Sequence, residues 1–362
     1  MSFAFPTYHH PDFTREPFLS APQAQLKAAV KAGVVPDGYH ATTIYPEYFH
    51  IGEQWLLAEE SRMDCVAVYE DGKIRVREMR RIKPGDLVIL GRTENCEDGI
   101  YVHYEGFVEH DDFADQFAFR QSRSRETAYS RDYDFLCELL EHEKEHGFIT
   151  WVLGPACAFD ADSRAAFSKL VEDGYVHALM AGNALATHDL EAAYLKTALG
   201  QDVYTQRSQP NGHYNHIDTI NKVKEHGSIP AFIEKENIDN GIIYSCVKKN
   251  VPFVLAGSIR DDGPLPEVYG NVYEAQDAMR NITSRSTTVI CLATVLHSIA
   301  TGNMTPSYRV LEDGSVRPVY FYSVDVSEFA VNKLRDRGSL AVKTIVTNVQ
   351  DFVVNVCKGM ER

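Results

Sequence analysis

The sequence predicts an α/β protein, a doubly wound and mainly parallel sheet preceded by a smaller β-rich domain. Three observations carry that prediction. Short runs that are apolar at almost every position recur through the second two-thirds of the chain, as strands buried on both faces do. Each run ends in small residues and is followed by a segment of helical pattern, the rhythm of βαβ units. Before them, from Tyr39 to about His110, shorter β-like runs are separated by Gly and Asp.

The elements follow in chain order. Residues 1–38, rich in Pro, Phe and His, are expected to be an arm with a short helical stretch over 23–32. Residues 39–118 are assigned to the β-rich domain. Within it, 64–69 and 73–79 flank Glu70-Asp71-Gly72 as a hairpin, and Lys83-Pro84-Gly85-Asp86 turns the chain into a strand over 87–90. Residues 119–362 are assigned to the α/β domain. Its strands are expected at 149–153, 176–180, 252–255, 288–292, 319–323 and 344–346, with helices over 133–146 and 161–173 among the connections. Glu312-Asp313-Gly314-Ser315 is read as the turn of a surface hairpin.

Composition narrows the function. The chain has 362 residues, is 44% hydrophobic and carries a formal net charge of −15. So acidic a surface repels phosphate backbones, and nucleic acid is not an expected partner. No apolar run reaches the roughly 18–20 residues a membrane span needs. Seven scattered cysteines without a CxxC pair read as reduced thiols, and no metal site is expected. The N-terminal segment lacks a basic region leading into an apolar one, so no signal peptide is expected and the location is expected to be cytoplasmic.

No GxGxxG, Walker or HExxH motif is present. Polar residues instead crowd the positions just after the expected strands, where open α/β sheets bind ligands. These are 182–191, 212–216, 257–266, 297–304 and Asp325. Each has a plainer reading. Asp189 could be an ordinary first-turn polar residue, His213 and His216 surface loop residues, and His297 a satisfied core histidine. Arg260 could be clamped by Asp261 or Asp262. Asp325 could cap a helix or accept the hydroxyls of a ribose.

Four segments resemble one known family: AGNALATHDLE (181–191), VPFVLAGSIRDDGPLP (251–266), LATVLHSIATGNM (292–304) and DRGS (336–339). They are similar to the archaeal-type ornithine cyclodeaminases, also labelled the LOR/SDH conserved region, which form the C-terminal part of cyanobacterial arginine dihydrolase–ornithine cyclodeaminase fusions. Thr42-Thr43, Trp55 and Met63-Asp64-Cys65 extend the likeness into the β-rich region.

The resemblance implies a deoxyhypusine-synthase-like NAD-binding fold, tightly held NAD, a small amino-acid substrate and a homo-oligomer (dimer or tetramer). It implies conversion of L-ornithine to L-proline and ammonia. Hydride leaves the substrate α-carbon, the δ-amine attacks the resulting imine, ammonia departs, and the cyclic imine takes the hydride back. Such a cycle needs a base and an acid for the amines and a guanidinium for the carboxylate. Asp189 and His188 are assigned to the amines and Arg260 to the carboxylate. Asp261 and Asp262 are assigned to the distal ammonium or to proton transfer, and His213 and Asn215 to the pocket wall. Asn183, Ser258, Thr301, Gly302, Asn303 and Asp325 are assigned to NAD.

Two departures stand out. Tyr214 occupies a position where the family pattern has Arg, and 119–127 is more basic than the family's serine-rich stretch, so that Arg123 or Arg125 could supply the missing cation. Two other readings stay open: an NAD-dependent enzyme acting on a different amino acid or diamine, as a dehydrogenase or in an opine-like reaction, and a catalytically silent NAD-binding regulator.

Overall fold

In the computed structural model, residues 5–107, 130–261, 263–328, 330 and 339–361 are described. Seven short strands build the N-terminal region: β1 (Gln25–Ala28), β2 (Glu47–Ile51), β3 (Gln54–Leu57), β4 (Val66–Glu70), β5 (Lys73–Arg77), β6 (Leu87–Leu90) and β7 (Ile100–Val102). They form two antiparallel sheets, ordered β1-β6-β4-β5 and β3-β2-β7. The predicted hairpin joins β4 to β5. Asp71 and Gly72 both take positive φ, 51° and 79°, the backbone that a two-residue turn between twisted strands requires. The helix expected over 23–32 is instead β1, whose four residues pair in register with β6. Gln, Leu, Lys and Ala favour helix in isolation, but an available sheet edge overrides so short a propensity.

The second region begins with α1 (Ser130–His146), β8 (Ile149–Leu153), α2 (Ala161–Glu172), β9 (Ala178–Gly182) and α3 (Asn183–Leu195). A small pair follows, β10 (Thr197–Ala198) with β11 (Gln201–Asp202), then α4 (Asn215–His226), α5 (Ile229–Lys235) and α6 (Ile242–Lys249). Next come β12 (Phe253–Ala256), β13 (Val268–Tyr269), α7 (Val272–Thr283), β14 (Thr288–Leu292) and α8 (Val295–Met304). The predicted surface hairpin is β15 (Tyr308–Val310) with β16 (Val316–Pro318). The region closes with β17 (Tyr320–Asp325), β18 (Ala341–Val346) and α9 (Val349–Met360). Among the described residues no helix is long and apolar enough to cross a membrane.

Seven of these strands form one parallel sheet in the order β13-β12-β9-β8-β14-β17-β18. Alternate residues feed opposite faces. Trp151, Leu179 and Ile290 pack with Leu136, Phe167 and Phe352 of α1, α2 and α9. Val152, Met180 and Val289 pack with Met279 of α7 and Met304 of α8. The sheet is therefore wound on both sides, as expected. From β8 the chain moves outward through β9 and β12 to β13, then returns to place β14 on the other side of β8. Strand order reverses between β8 and β14, and at such a point the connections leave a crevice above the carboxyl ends.

Candidate active site

The parallel register sets one row of residues along the carboxyl rim. Leu292 pairs with Leu153 and Val324, Leu153 with Ala181, and Ala256 with Gly182. Gly154, Gly182, Ala293 and Asp325 thus end neighbouring strands at nearly one level. Side chains would not fit between them. A Cβ on Gly154 would stand 2.0 Å from the Ala293 carbonyl oxygen, and one on Gly182 would stand 2.9 Å from Cε1 of His297. Ala293 itself adopts φ 49°, a left-handed turn at the strand exit.

Five of the predicted site residues lie on this rim. Asn183 opens α3 directly after β9, and its Oδ1 accepts the Leu265 amide at 3.0 Å, tying the loop after β12 to the sheet. Ser258 and Asp261 close a turn on each other. The Ser258 amide donates to Oδ2 of Asp261 at 2.8 Å, and the Asp261 amide donates to the Ser258 carbonyl at 3.0 Å. Arg260 stands exposed on that turn, its guanidinium in no ion pair with a described residue. Asp325 ends β17 and accepts the Ser327 amide at 2.9 Å through Oδ1, next to a narrow crevice shared with Thr294 and Ser298. From β9 to β17 is three strand spacings, about 14 Å.

A second group lies on α3. Nδ1 of His188 is 3.0 Å from Oε2 of Glu191, one turn on along the helix. Glu191 is fully buried and also accepts from Thr197 Oγ1 (2.8 Å) and from the amides of Leu199 (2.9 Å) and Gly200 (3.0 Å). Burial pushes its carboxyl pKa up, but the hydrogen bonds from His188, Gly200, Thr197 and Leu199 outweigh that and hold it below the usual value. Asn215 joins the same network by donating from Nδ2 to Thr197 Oγ1 at 2.8 Å. The His216 ring lies 6.1 Å from that of His188, and its buried Nδ1 has no hydrogen-bond partner. His213, one turn earlier, is exposed and leans on Tyr214 with ring centroids 4.3 Å apart.

The other predicted residues are placed elsewhere. Asp189 is fully buried, its Oδ1 on Nε of Arg164 at 2.8 Å, with both oxygens accepting amides at the start of α6. One residue beyond His188, it faces a different side of α3 and acts as an interhelical clamp, so its assignment to the substrate amines is withdrawn. Thr301, Gly302 and Asn303 follow β14 in sequence, but α8 carries them along its axis. At 1.5 Å per residue they lie about 10 Å or more from the rim. The next residue, Met304, offers its carbonyl to Thr283 at the end of α7, on the amino side of the sheet. Thr301 and Gly302 are buried there and Asn303 sits in the last turn of α8, so their assignment to NAD is withdrawn. Asp262 and Arg125 lie outside the described residues.

Glu191 and His297 were not assigned. The signal for the first was the His-x-x-Glu spacing on a helix. For His297 it was a position in the first turn after β14, where Oγ1 of Thr294 is 3.3 Å from its Nδ1. Burial lowers the His297 pKa, opposed by the charge of Asp261.

Residues 135–356 match the family model described as arginine dihydrolase ArgZ-like, C-terminal, Rossmann fold. The chain is 37% identical over 348 residues to the ornithine cyclodeaminase of Methanococcus maripaludis, a match covering 94% of this chain and 80% of the relative. The chain belongs to the ornithine cyclodeaminase family. Within that family, the crystal structure of a conserved LOR/SDH protein from Methanococcus maripaludis superposes with a TM-score of 0.84 at 36% identity, covering 94% of this chain and 99% of the other. The ternary complex of AgrE with ornithine and NAD+ superposes with a TM-score of 0.58 at 30% identity, covering 95% of this chain and 46% of AgrE. The ornithine cyclodeaminase likeness therefore spans both the β-rich and the α/β regions.

Proposed function

We propose that this protein is an NAD-dependent ornithine cyclodeaminase, converting L-ornithine to L-proline and ammonia. The observation that carries the reading is the rim itself. The sheet reverses order between β8 and β14, and the residues around that point are small or polar. The alignment with relatives of that name supports the same reading.

The residues present fit a dinucleotide. Gly154 and Gly182 leave no side chain over the strand ends, and Oδ2 of Asp325 takes no hydrogen bond from a described residue, leaving it for ribose hydroxyls. Asn183, Ser258, Asp325 and the backbone after β14 are the groups that would hold NAD. The cofactor supplies a hydride acceptor that is restored within each turnover.

The chain supplies binding and proton transfer. Arg260 offers a planar fork for the substrate carboxylate. Asp261 takes the distal ammonium. His188, held by Glu191 through Nδ1, presents Nε2 as the base that removes a proton from the α-ammonium and later returns one to departing ammonia. His213 and Asn215 line the approach to this group. In this reading the protein serves proline formation as a cytoplasmic homo-oligomer, a dimer or tetramer.

Denatured, freshly purified protein is expected to release NAD, identified by mass spectrometry. Incubation with ornithine is expected to yield proline and one equivalent of ammonia without added reductant. Inactivity across a panel of amino acids would sink the proposal. A second reading, a different amine substrate, draws on Tyr214. It stands 55% exposed against His213 where the resembling pattern has Arg, and an aromatic ring cannot grip a carboxylate as a guanidinium does. The same panel, read by ammonia release and NADH accumulation, separates the two.

A further inference from the structure

Away from the rim, the small sheet and α7 border a half-open cavity of about 840 Å³. It lies beside the C-terminal half of α7, which leads into the amino end of β14, so the length of that strand separates it from the candidate active site. Its walls carry eight Lys or Arg side chains against four carboxylates, in a chain whose net charge is −15.

The cations share their carboxylates: Glu78 faces both Arg62 and Arg280 at 2.5 Å, Glu59 takes Arg75 at 2.6 Å, and Arg77 pairs with Glu70 and Asp86. Arg80, Arg81 and Arg280 all converge on Asp277, Arg81 at 2.6 Å and Arg280 at 3.5 Å. Hydrogen bonds from Arg81 and Arg80 drive the Asp277 pKa down to about 2. Arg62 is only 4% exposed; Glu60 and Glu78 take its terminal nitrogens, and its Nε has no hydrogen-bond partner. Lys83 has no carboxylate partner among the described residues. Arg309 spends its guanidinium on a backbone carbonyl, that of Ser284. Burial lowers the Arg280 pKa; Glu78 opposes this, and the neighbouring cations Arg62, Arg81 and Arg80 push it further down. An interdomain clamp alone would be built near neutrality. This cavity instead holds more cations than carboxylates, and the buried ones, Arg62 and Arg280, compete for Glu78.

We propose that this cavity binds a polyanion of two or three linked phosphates. Planar guanidinium forks match phosphate oxygens in pairs, and several forks facing one space favour a ligand with several such groups. The volume lies in the range of small-molecule sites. Ala32 and Val310 are accessible apolar residues of the lining, against which a nucleoside would rest. The ligand is thus an inorganic polyphosphate or a nucleoside polyphosphate. Because its walls come from both regions, binding ties the small sheet to the α/β domain.

The test is titration calorimetry on the full chain with tripolyphosphate and with adenosine triphosphate, at matched ionic strength against sodium chloride and monophosphate. Both probes are expected to bind and to raise the melting temperature. Tighter binding of the nucleotide assigns the nucleoside form, and equal binding the inorganic form. The exposed double variant Arg75→Gln/Lys83→Gln is expected to weaken both probes about tenfold or more while keeping its circular dichroism. The single Lys83→Gln variant is expected to fall between. Probes that bind no better than monophosphate or chloride would overturn the proposal. So would unchanged affinity in the double variant, which would place the anion elsewhere, including the rim.

Discussion

Oδ1 of Asp189 stands 2.8 Å from Nε of Arg164, and neither side chain is more than 4% exposed. The same carboxylate accepts the amides of Ile242 and Ile243 at 3.0 and 2.8 Å, so one acidic residue on α3 holds both α2 and the N-terminus of α6. Asp189→Asn leaves a buried guanidinium without its counter-charge. A loss of about 3–5 kcal/mol is expected in urea unfolding, with turnover per folded molecule retained. Lost turnover at wild-type stability would return Asp189 to the substrate.

His188 and Glu191 should behave as one unit. His188→Gln is expected to lower kcat by about 10²–10⁴-fold with nicotinamide content unchanged, since it removes the proton carrier and not the cofactor's rim. Glu191→Gln keeps the shape but loses the charge that orients the imidazole. It should lower kcat and shift the acid limb of its pH profile. If both variants turn over normally, proton transfer belongs elsewhere.

Arg260→Lys keeps the positive charge and loses the fork. We expect KM for ornithine to rise by about 10–100-fold and retained NAD to stay constant, measured on one preparation by steady-state kinetics and mass spectrometry. Unchanged kinetics would remove Arg260 from the site.

His297 gives a pH signature. Its folded pKa is depressed below 6.5, chiefly by burial, so the unfolded chain binds more protons as pH falls from about 6.5 toward the folded value. Stability from this group is present above pH 6.5 and declines below it. Denaturant unfolding at pH 5, 6 and 7 should show that slope, and His297→Gln should flatten it. An identical slope in the variant would assign it to other histidines.

Much of this architecture was readable because burial on both faces leaves unbroken apolar runs. Ile149–Leu153 and Thr288–Leu292 fall where they were expected. The strand expected at 176–180 runs instead from Ala178 to Gly182, because Ala181 and Gly182 look like turn residues although they complete the ladder beside Leu255 and Ala256. Rim positions adjoining a strand end, such as Asn183 and Ser258, were legible from position alone. Asp189 was not, since its partner Arg164 lies 25 residues away and only helix packing brings the two together. Thr301, Gly302 and Asn303 show the opposite trap. Nearness to a strand along the chain was mistaken for nearness in space, which a helix undoes within two turns.

The pairing of Gln25–Ala28 with Leu87–Leu90 bears on how the protein can be produced. A version started at residue 39 would look reasonable on the domain boundary drawn from composition. It would strip the outer neighbour from β6 and leave Leu87-Val88-Ile89-Leu90 as a bare, apolar edge ready to join the same edge of another molecule. Trimmed forms should therefore come out of cells as insoluble aggregates, and crystallisation or display formats should retain Gln25–Ala28.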